Sequence, residues 1–349
     1  MTVSTISPVA RQYTSSTVPA NLDTPADSSV TTSYFAPDQR LPLIVKPAAA
    51  GLDVIDWARS NKDFIEQRLL DEGGILLRGF DVPSTEVFEE LIRSIGGPLL
   101  DYSYRSTPRS QVSGKIFTST EYPADQYIPM HNEMAYTRSW PQKIGFCCLV
   151  PAKEGGTTPI ADSRRVYERI DPQVRERFAQ KGVMYVRNYG TGMDLSWQEV
   201  FQTDDRAEAE AFCRQSGIDF TWKDESWLRT TQICQGTINH PVTGVPLWFN
   251  QAHLFHVTSL PQELQEAFAM MFDEADLPRN TYYGDGTPIE PEVLEAIREG
   301  FAAETISFPW EQGDILLLDN MLVAHGRGPF VGPRRIVVGM AQAVSAADL

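Results

Sequence analysis

Histidine and cysteine are scarce in this chain of 349 residues, which has five of the first and four of the second. None of the cysteines, Cys147, Cys148, Cys213 and Cys234, stands in C-x-x-C spacing, which removes zinc ribbons and dithiol redox motifs. Cys147 and Cys148 lie in the apolar run "IGFCCLV" and read as reduced core residues. No run of about 18 apolar residues occurs, so no membrane-spanning helix is expected. The N-terminal stretch "MTVSTISPVARQYTSSTVPA" has neither the charged-then-apolar order of a secretion signal nor an Arg-rich amphipathic pattern, and a cytoplasmic protein is expected. Basic residues are outnumbered, 30 Lys+Arg against 46 Asp+Glu, for a formal charge of −16. With no Lys/Arg cluster to meet a phosphate backbone, nucleic acid is set aside as a partner.

What is there is apolar patterning. At 42% hydrophobic the chain is long enough to bury a large core. Residues 1–40 are rich in Ser, Thr, Pro and Ala without apolar periodicity and read as an extended or poorly ordered arm; the folded body is expected over 41–349. "DVIDWARSNKDFIEQRLLDEGG" has helical spacing and ends on a Gly-Gly stop signal, and "TEVFEELIRSI" is a second helix. The pattern then turns to short strands, among them "GKIFTS", "KIGFCCLV", "GVMYVRNYG", "TTQICQG", "DILLLDN" and "RRIVVGMAQAV", separated by Gly/Pro turns and interrupted by helical insertions. Many irregularly spaced strands suit a double-stranded β-helix, or jelly roll: a mainly β, α+β fold with flanking helices rather than alternating βαβ units. No fixed-period repeat is visible.

The candidate chemistry starts in "YIPMHNEMAY". His131 and Glu133 are i and i+2, which on a strand places both side chains on one face. A divalent iron that activates dioxygen needs only three protein ligands, with positions left open, and the usual set is two histidines and one carboxylate. His-x-Glu fits half of that set; alone, it more often describes two polar neighbours. The remaining ligand belongs far along the chain, where a jelly roll brings an early and a late strand together. His325, in "DILLLDNMLVAHGRGPFVGPRRIVVGM", is expected at a strand end facing the mouth of the barrel. Nine residues on, Arg334 opens a strand from which a guanidinium can clamp a carboxylate.

The pieces "GILLRGF", "YIPMHNEMAY", "PAKEGGTTPIADSRRVY" and "LLLDNMLVAHGRGPF.GPRR" together resemble the taurine/2-oxoglutarate dioxygenase family of the clavaminate-synthase-like superfamily, over about residues 40 to 345. "RSTPRS", "TSTEYPADQ", "HNEMAY" and "WFNQAHLFH" are similar to the branch found in nonribosomal-peptide pathways, whose members carry the labels of regulatory proteins or amino-acid β-hydroxylases. The resemblance implies His131, Glu133 and His325 as iron ligands and catalytic residues. It implies Thr158, in "EGGTT", and Arg334 as contacts to the distal carboxylate of 2-oxoglutarate. Arg335 is the rival clamp, but adjacent strand residues point opposite ways. Cofactors implied are Fe(II), 2-oxoglutarate and O2. The implied substrate is an amino acid or an aminoacyl group tethered to a peptidyl carrier protein, hydroxylated at the β-carbon in natural-product biosynthesis, with homo-oligomers known in the family. Glu133 replaces the commoner aspartate, as in the amino-acid hydroxylases, and the presence of a carboxylate argues against halogenation.

Desaturation, epoxidation and cyclisation use the same cofactors, and a non-catalytic regulatory jelly roll or a zinc hydrolase are the other readings. An intact ligand set with a clamp arginine favours catalysis. His240, in "NHPVTG", reads as a turn residue. His253 and His256 read as structural, with the substrate mouth as their other role, shared with Asn250 and Gln251. Asp319 and Asn320 are expected to hold the loop presenting His325, Arg327 to make an ion pair or touch substrate, and Arg105 to meet a substrate carboxylate; Trp248 and Trp310 read as core.

Overall fold

Alternation along the strands decides which side chains reach the interior. The strand Ile315–Asp319 is buried throughout because both of its faces are covered. Leu316 and Leu318 point into the space between two sheets, whereas Ile315 and Leu317 pack beneath helices. The same division runs along Arg335–Ser345, with Ile336, Val338 and Met340 facing the intersheet core and Val337 and Ala341 facing the helices. The computed structural model describes residues 11–13, 18–19, 28–102, 104, 106–107, 109–119 and 122–349.

The larger sheet has nine strands, in the order Val18–Pro19, Val30–Tyr34, Leu43–Pro47, Gly74–Leu77, Ile315–Asp319, Ser139–Val150, Arg335–Ser345, Ile116–Thr118 and Gln111–Ser113. Facing it is a five-stranded sheet of Arg11–Gln12, Ile306–Ser307, Ile160–Asp162, Val323–Arg327 and Ile128–His131. The two form the jelly roll. Val30–Tyr34 lies within the segment read from sequence as an arm, yet it pairs antiparallel with Leu43–Pro47; Arg11–Gln12 runs parallel to Ile306–Ser307.

Helices cover the outer face of the larger sheet. The stretch expected as one helix is two, Val54–Ser60 and Lys62–Glu72, divided at Asn61. Asp53 starts the first by accepting from the amides of Ile55 and Asp56. Gly73 ends the second in the left-handed region at φ 84°, where a Cβ would sit 2.6 Å from Val323 Cγ2, so only glycine fits. Thr85–Gly96 presents Phe88, Leu91, Ile92 and Ile95 to the sheet.

A third unit interrupts the roll. Asp219–Trp222, Leu228–Cys234, Val183–Tyr189 and Arg279–Tyr283 form a separate four-stranded sheet over its own core, which includes Phe178, Tyr185, Trp248 and Phe255. Two of these strands are legible in "GVMYVRNYG" and "TTQICQG"; their separation from the roll is not. Ten α-helices occur among the described residues, so the α+β jelly roll stands with a larger helical share than "mainly β" conveys. None of them is long and apolar enough to cross a membrane.

Candidate active site

His131 and His325 are directly paired across two antiparallel strands, and their rings lie 4.6 Å apart. His325 occupies the middle of Val323–Arg327, not a strand end as expected. It shares the parity of Val323, which faces the intersheet core, and the edge of Phe146 backs it at 4.9 Å between ring centres. Glu133 departs from expectation further. The strand Ile128–His131 stops before it, and Glu133 sits in a buried turn that passes through Met134 at φ 58°. Strand parity therefore does not bring the two side chains together; a buried amide does. Asn320 accepts from the Glu133 N–H at 2.7 Å and donates to the Glu133 carbonyl at 2.9 Å.

The donor atoms of His131, Glu133 and His325 lie within 4.8 Å of one another. His131 Nδ1 is 2.8 Å from the Pro129 carbonyl; a carbonyl only accepts, so the ring proton is on Nδ1 and the Nε2 lone pair faces the cluster. Burial, and then the neighbouring His325, push the His131 pKa down to about 4, keeping the ring neutral at pH 7. His325 Nε2 is 3.8 Å from Glu133 Oε2. Burial opposes ionisation of Glu133, but Arg109 and the two histidines hold its carboxyl well below the usual range. Arg109 Nη2 donates to Glu133 Oε2 at 2.7 Å. Two imidazoles and one carboxylate suit a divalent first-row metal such as iron(II).

Across the same interior, Thr158 and Arg334 converge. Arg334 Nη2 is 3.5 Å from Thr158 Oγ1, Nη1 donates to Ser119 Oγ at 3.2 Å, and Nε donates to the Gly156 carbonyl at 2.9 Å. Trp310 Nε1 also donates to Thr158 Oγ1, at 3.2 Å. Among the described residues no carboxylate pairs with Arg334. Burial, reinforced by Arg327, pushes its pKa down to about 10. A cation so placed fits the carboxylate of a bound acid.

Arg335 is corrected as a clamp. Its parity is that of Val337 and Ala341, so it leaves on the helix side, exposed in a groove with Phe80, Val82 and Leu149.

Against known proteins, the sequence profile of the taurine catabolism dioxygenase TauD, TfdA family matches residues 38–341. The chain belongs to that family. It is accordingly a non-haem iron, 2-oxoglutarate-dependent dioxygenase, with dioxygen as co-substrate. The dapdiamide synthesis protein DdaC of Enterobacter agglomerans is 41% identical over 276 residues, 79% of this chain and 84% of that protein. A clavaminate synthase-like protein of Arabidopsis thaliana is 30% identical over 318 residues, 86% and 93% of the two chains. Among solved structures, PvcB of Pseudomonas aeruginosa aligns with a TM-score of 0.55 at 15% identity, over 93% of this chain and 96% of that one, a likeness of fold.

Within this dioxygenase the remaining candidates sort by contact. Asp319 caps the turn at Met321 and Leu322 through Oδ1 and meets His240 Nε2 at 3.1 Å through Oδ2; Asn320 holds Glu133 rather than the His325 loop. His240 is thus a buried structural residue, as read. His253 donates from Nε2 to the Met130 carbonyl at 3.1 Å and stacks on Phe301, while His256 Nδ1 pairs with Thr258, so the two share no ligand. Gln251 donates to the Asn132 carbonyl at 2.7 Å, and Asn250 to the Gly236 carbonyl at 2.6 Å. Among the described residues Arg327 makes no ion pair; it donates to the carbonyls of Tyr122, Pro123 and Gln126, securing the loop beside the site. Trp248 is core, but Trp310 also reaches Thr158. All four cysteines are free and buried. Arg105 lies outside the described residues.

Sequence reasoning missed Arg109, Asn132, Ser119 and the site contact of Trp310. Asn132 donates to Ser163 Oγ at 3.0 Å and to the Asn320 carbonyl at 2.7 Å. Its place between His131 and Glu133 was the one available signal.

Proposed function

We propose that His131, Glu133 and His325 hold the iron, that Thr158 and Arg334 hold the distal carboxylate of 2-oxoglutarate, and that the enzyme hydroxylates the β-carbon of an amino acid or a carrier-tethered aminoacyl group in natural-product biosynthesis. The observation that carries the site assignment is the pairing of a three-donor cluster with a guanidinium that has no acidic partner among the described residues, both inside one jelly roll. When bound, the iron, 2-oxoglutarate and O2 together supply the oxidation, yielding succinate, carbon dioxide and one oxygen atom for the substrate.

This chain's residues do the rest. The Pro129 carbonyl fixes the proton of His131 on Nδ1 and leaves Nε2 as the donor. Asn320 fixes the Glu133 main chain on both sides of its Cα. Arg334 and Thr158 set the far end of the co-substrate and hence its orientation. Phe146, whose ring lies 4.9 Å from that of His325, helps keep water from the reacting end.

The substrate class is supported by the relative's role in dapdiamide synthesis and by Glu133, which fills the position a halide would need. Residues 41–349 form the catalytic domain, and the segment before them an arm that adds edge strands.

Anaerobic titration of metal-free protein with iron(II) and 2-oxoglutarate tests the assignment through the visible charge-transfer band of the chelate. The band is expected in the wild type, absent in His131→Ala and shifted to much higher 2-oxoglutarate in Arg334→Ala. A wild type with no band at saturation sinks the site assignment. Succinate release with free and carrier-bound amino acids then tests the substrate class, which fails if none of them raises it above the uncoupled rate.

A further inference from the structure

The Glu133 carboxylate is already engaged by a cation. Arg109 Nη2 lies 2.7 Å from Oε2, and the two side chains are only 4% and 3% exposed. The guanidinium is held in turn over the ring of Tyr102, 4.5 Å from its centre. Glu133 cannot retreat, because Asn320 fixes its main chain. The same oxygen, Oε2, is the one facing His325 Nε2 at 3.8 Å. A buried ion pair alone would be an ordinary core feature; a pair whose carboxylate belongs to a cluster of metal donors has two consequences.

The first is geometric. With a charge-assisted hydrogen bond on Oε2, the carboxylate cannot present both oxygens symmetrically to a second cation without giving that bond up. The second is electrostatic. The guanidinium of Arg109 offsets the formal charge of the Glu133 carboxylate it pairs with. A divalent metal gains less there than beside a bare carboxylate, and a dianionic chelator regains the difference.

We propose that Arg109 is a positioning residue that limits Glu133 to single-oxygen coordination and couples metal affinity to the dianionic co-substrate; this rests on the reading of the same cluster as the iron site. Single-oxygen coordination keeps a position open for the chelate. The positive charge beside it makes metal and 2-oxoglutarate bind with positive cooperativity, each tightening the other by the same factor.

The test uses the metal-free full chain as wild type, Arg109→Met and Arg109→Lys. Mn(II) binding is followed by the EPR signal of the free ion, with and without 2-oxoglutarate, and the ratio of the two dissociation constants is the readout. Arg109→Met is expected to lower that ratio about tenfold, and Arg109→Lys, which keeps the charge without the fork, to recover part of it. An unchanged ratio in folded Arg109→Met overturns the proposal. A crystal structure of the wild type with Mn(II) and N-oxalylglycine decides the geometry even where Arg109→Met does not fold. Glu133 is expected to give one oxygen to the metal, with Arg109 within about 3.2 Å of the carboxylate; a two-oxygen chelate or a displaced Arg109 overturns it. Absence of Mn(II) binding by the wild type sinks the iron-site reading itself. Binding that His131→Ala abolishes but Arg109→Met leaves equally coupled sinks only the role of Arg109.

Discussion

The two ends of the candidate site are built to different tolerances. At the metal end, His131, Glu133 and the turn between them are held by contacts of 2.7 to 2.9 Å from Pro129, Arg109 and Asn320. At the anion end, Arg334 reaches its side-chain partners only at 3.2 and 3.5 Å, and its one short contact is from Nε to a main-chain carbonyl. These contacts fix His131 and Glu133 in place, as the metal-ligand role proposed for them demands. Under the proposed assignment the guanidinium fork keeps its stronger hydrogen bonds for the carboxylate of 2-oxoglutarate, since no carboxylate among the described residues pairs with it.

Removing a metal donor is the harshest way to break this contrast. His325→Ala is expected to drop succinate formation to the uncatalysed background and to abolish tight Mn(II) binding, while Arg334→Ala leaves Mn(II) binding in the absence of 2-oxoglutarate within a few-fold of the wild type. Equal loss of metal in both variants would mean that the two ends are not separable. At the anion end, Arg334→Ala is expected to raise the 2-oxoglutarate needed for half-maximal turnover about 100-fold, the size of a lost charge-assisted contact. Steady-state kinetics at varied co-substrate measures it.

Asn320→Ala probes the rigidity of the metal end without touching a donor. It strands the buried Glu133 N–H and carbonyl, so about 2–4 kcal/mol of stability is expected to go, with metal affinity falling about tenfold or more. Urea melts and Mn(II) titration read the two, and a variant that is destabilised but binds Mn(II) normally would show that the turn needs no such clamp.

Acid provides a milder perturbation. Burial pushes the His253 pKa down to about 3, below the ~6.5 of an unfolded chain. The unfolded state takes the proton first, so the stability held above pH 6.5 is lost as pH falls toward 3, at up to ~1.4 kcal/mol per pH unit. His253→Gln is expected to lessen the loss between pH 7 and pH 5 by about 1–2 kcal/mol in urea midpoints; an unchanged acid limb would assign the effect to other groups. The smallest effect belongs to Arg335→Ala, whose 2-oxoglutarate requirement should match the wild type. A large rise there would reverse the assignment of the clamp.

Much of this was legible in the chain. Strand patterning gave "RRIVVGMAQAV", whose strand begins at Arg335, and the expectation that Arg334 and Arg335 point opposite ways came from alternation. The histidine and glutamate of "HNE" and the late His325 were readable because their residue types are rare in this sequence and chemically distinctive. Arg109 was not, because nothing local separates it from the rest of the chain's 30 Lys and Arg residues. The same holds for Asn132 and Asn320, whose importance lies in which main-chain groups they meet across 188 residues of separation.

By itself, then, the sequence determined the candidate donor types and the class of chemistry, since those depend on side-chain identity. Only the tertiary structure decided how Glu133 enters the site. Its turn lies beyond the strand, and the side chain is aimed by Asn320 at one end and Arg109 at the other. Such contacts join segments distant in sequence, and a buried polar group takes whichever partner the packed fold brings within hydrogen-bonding distance.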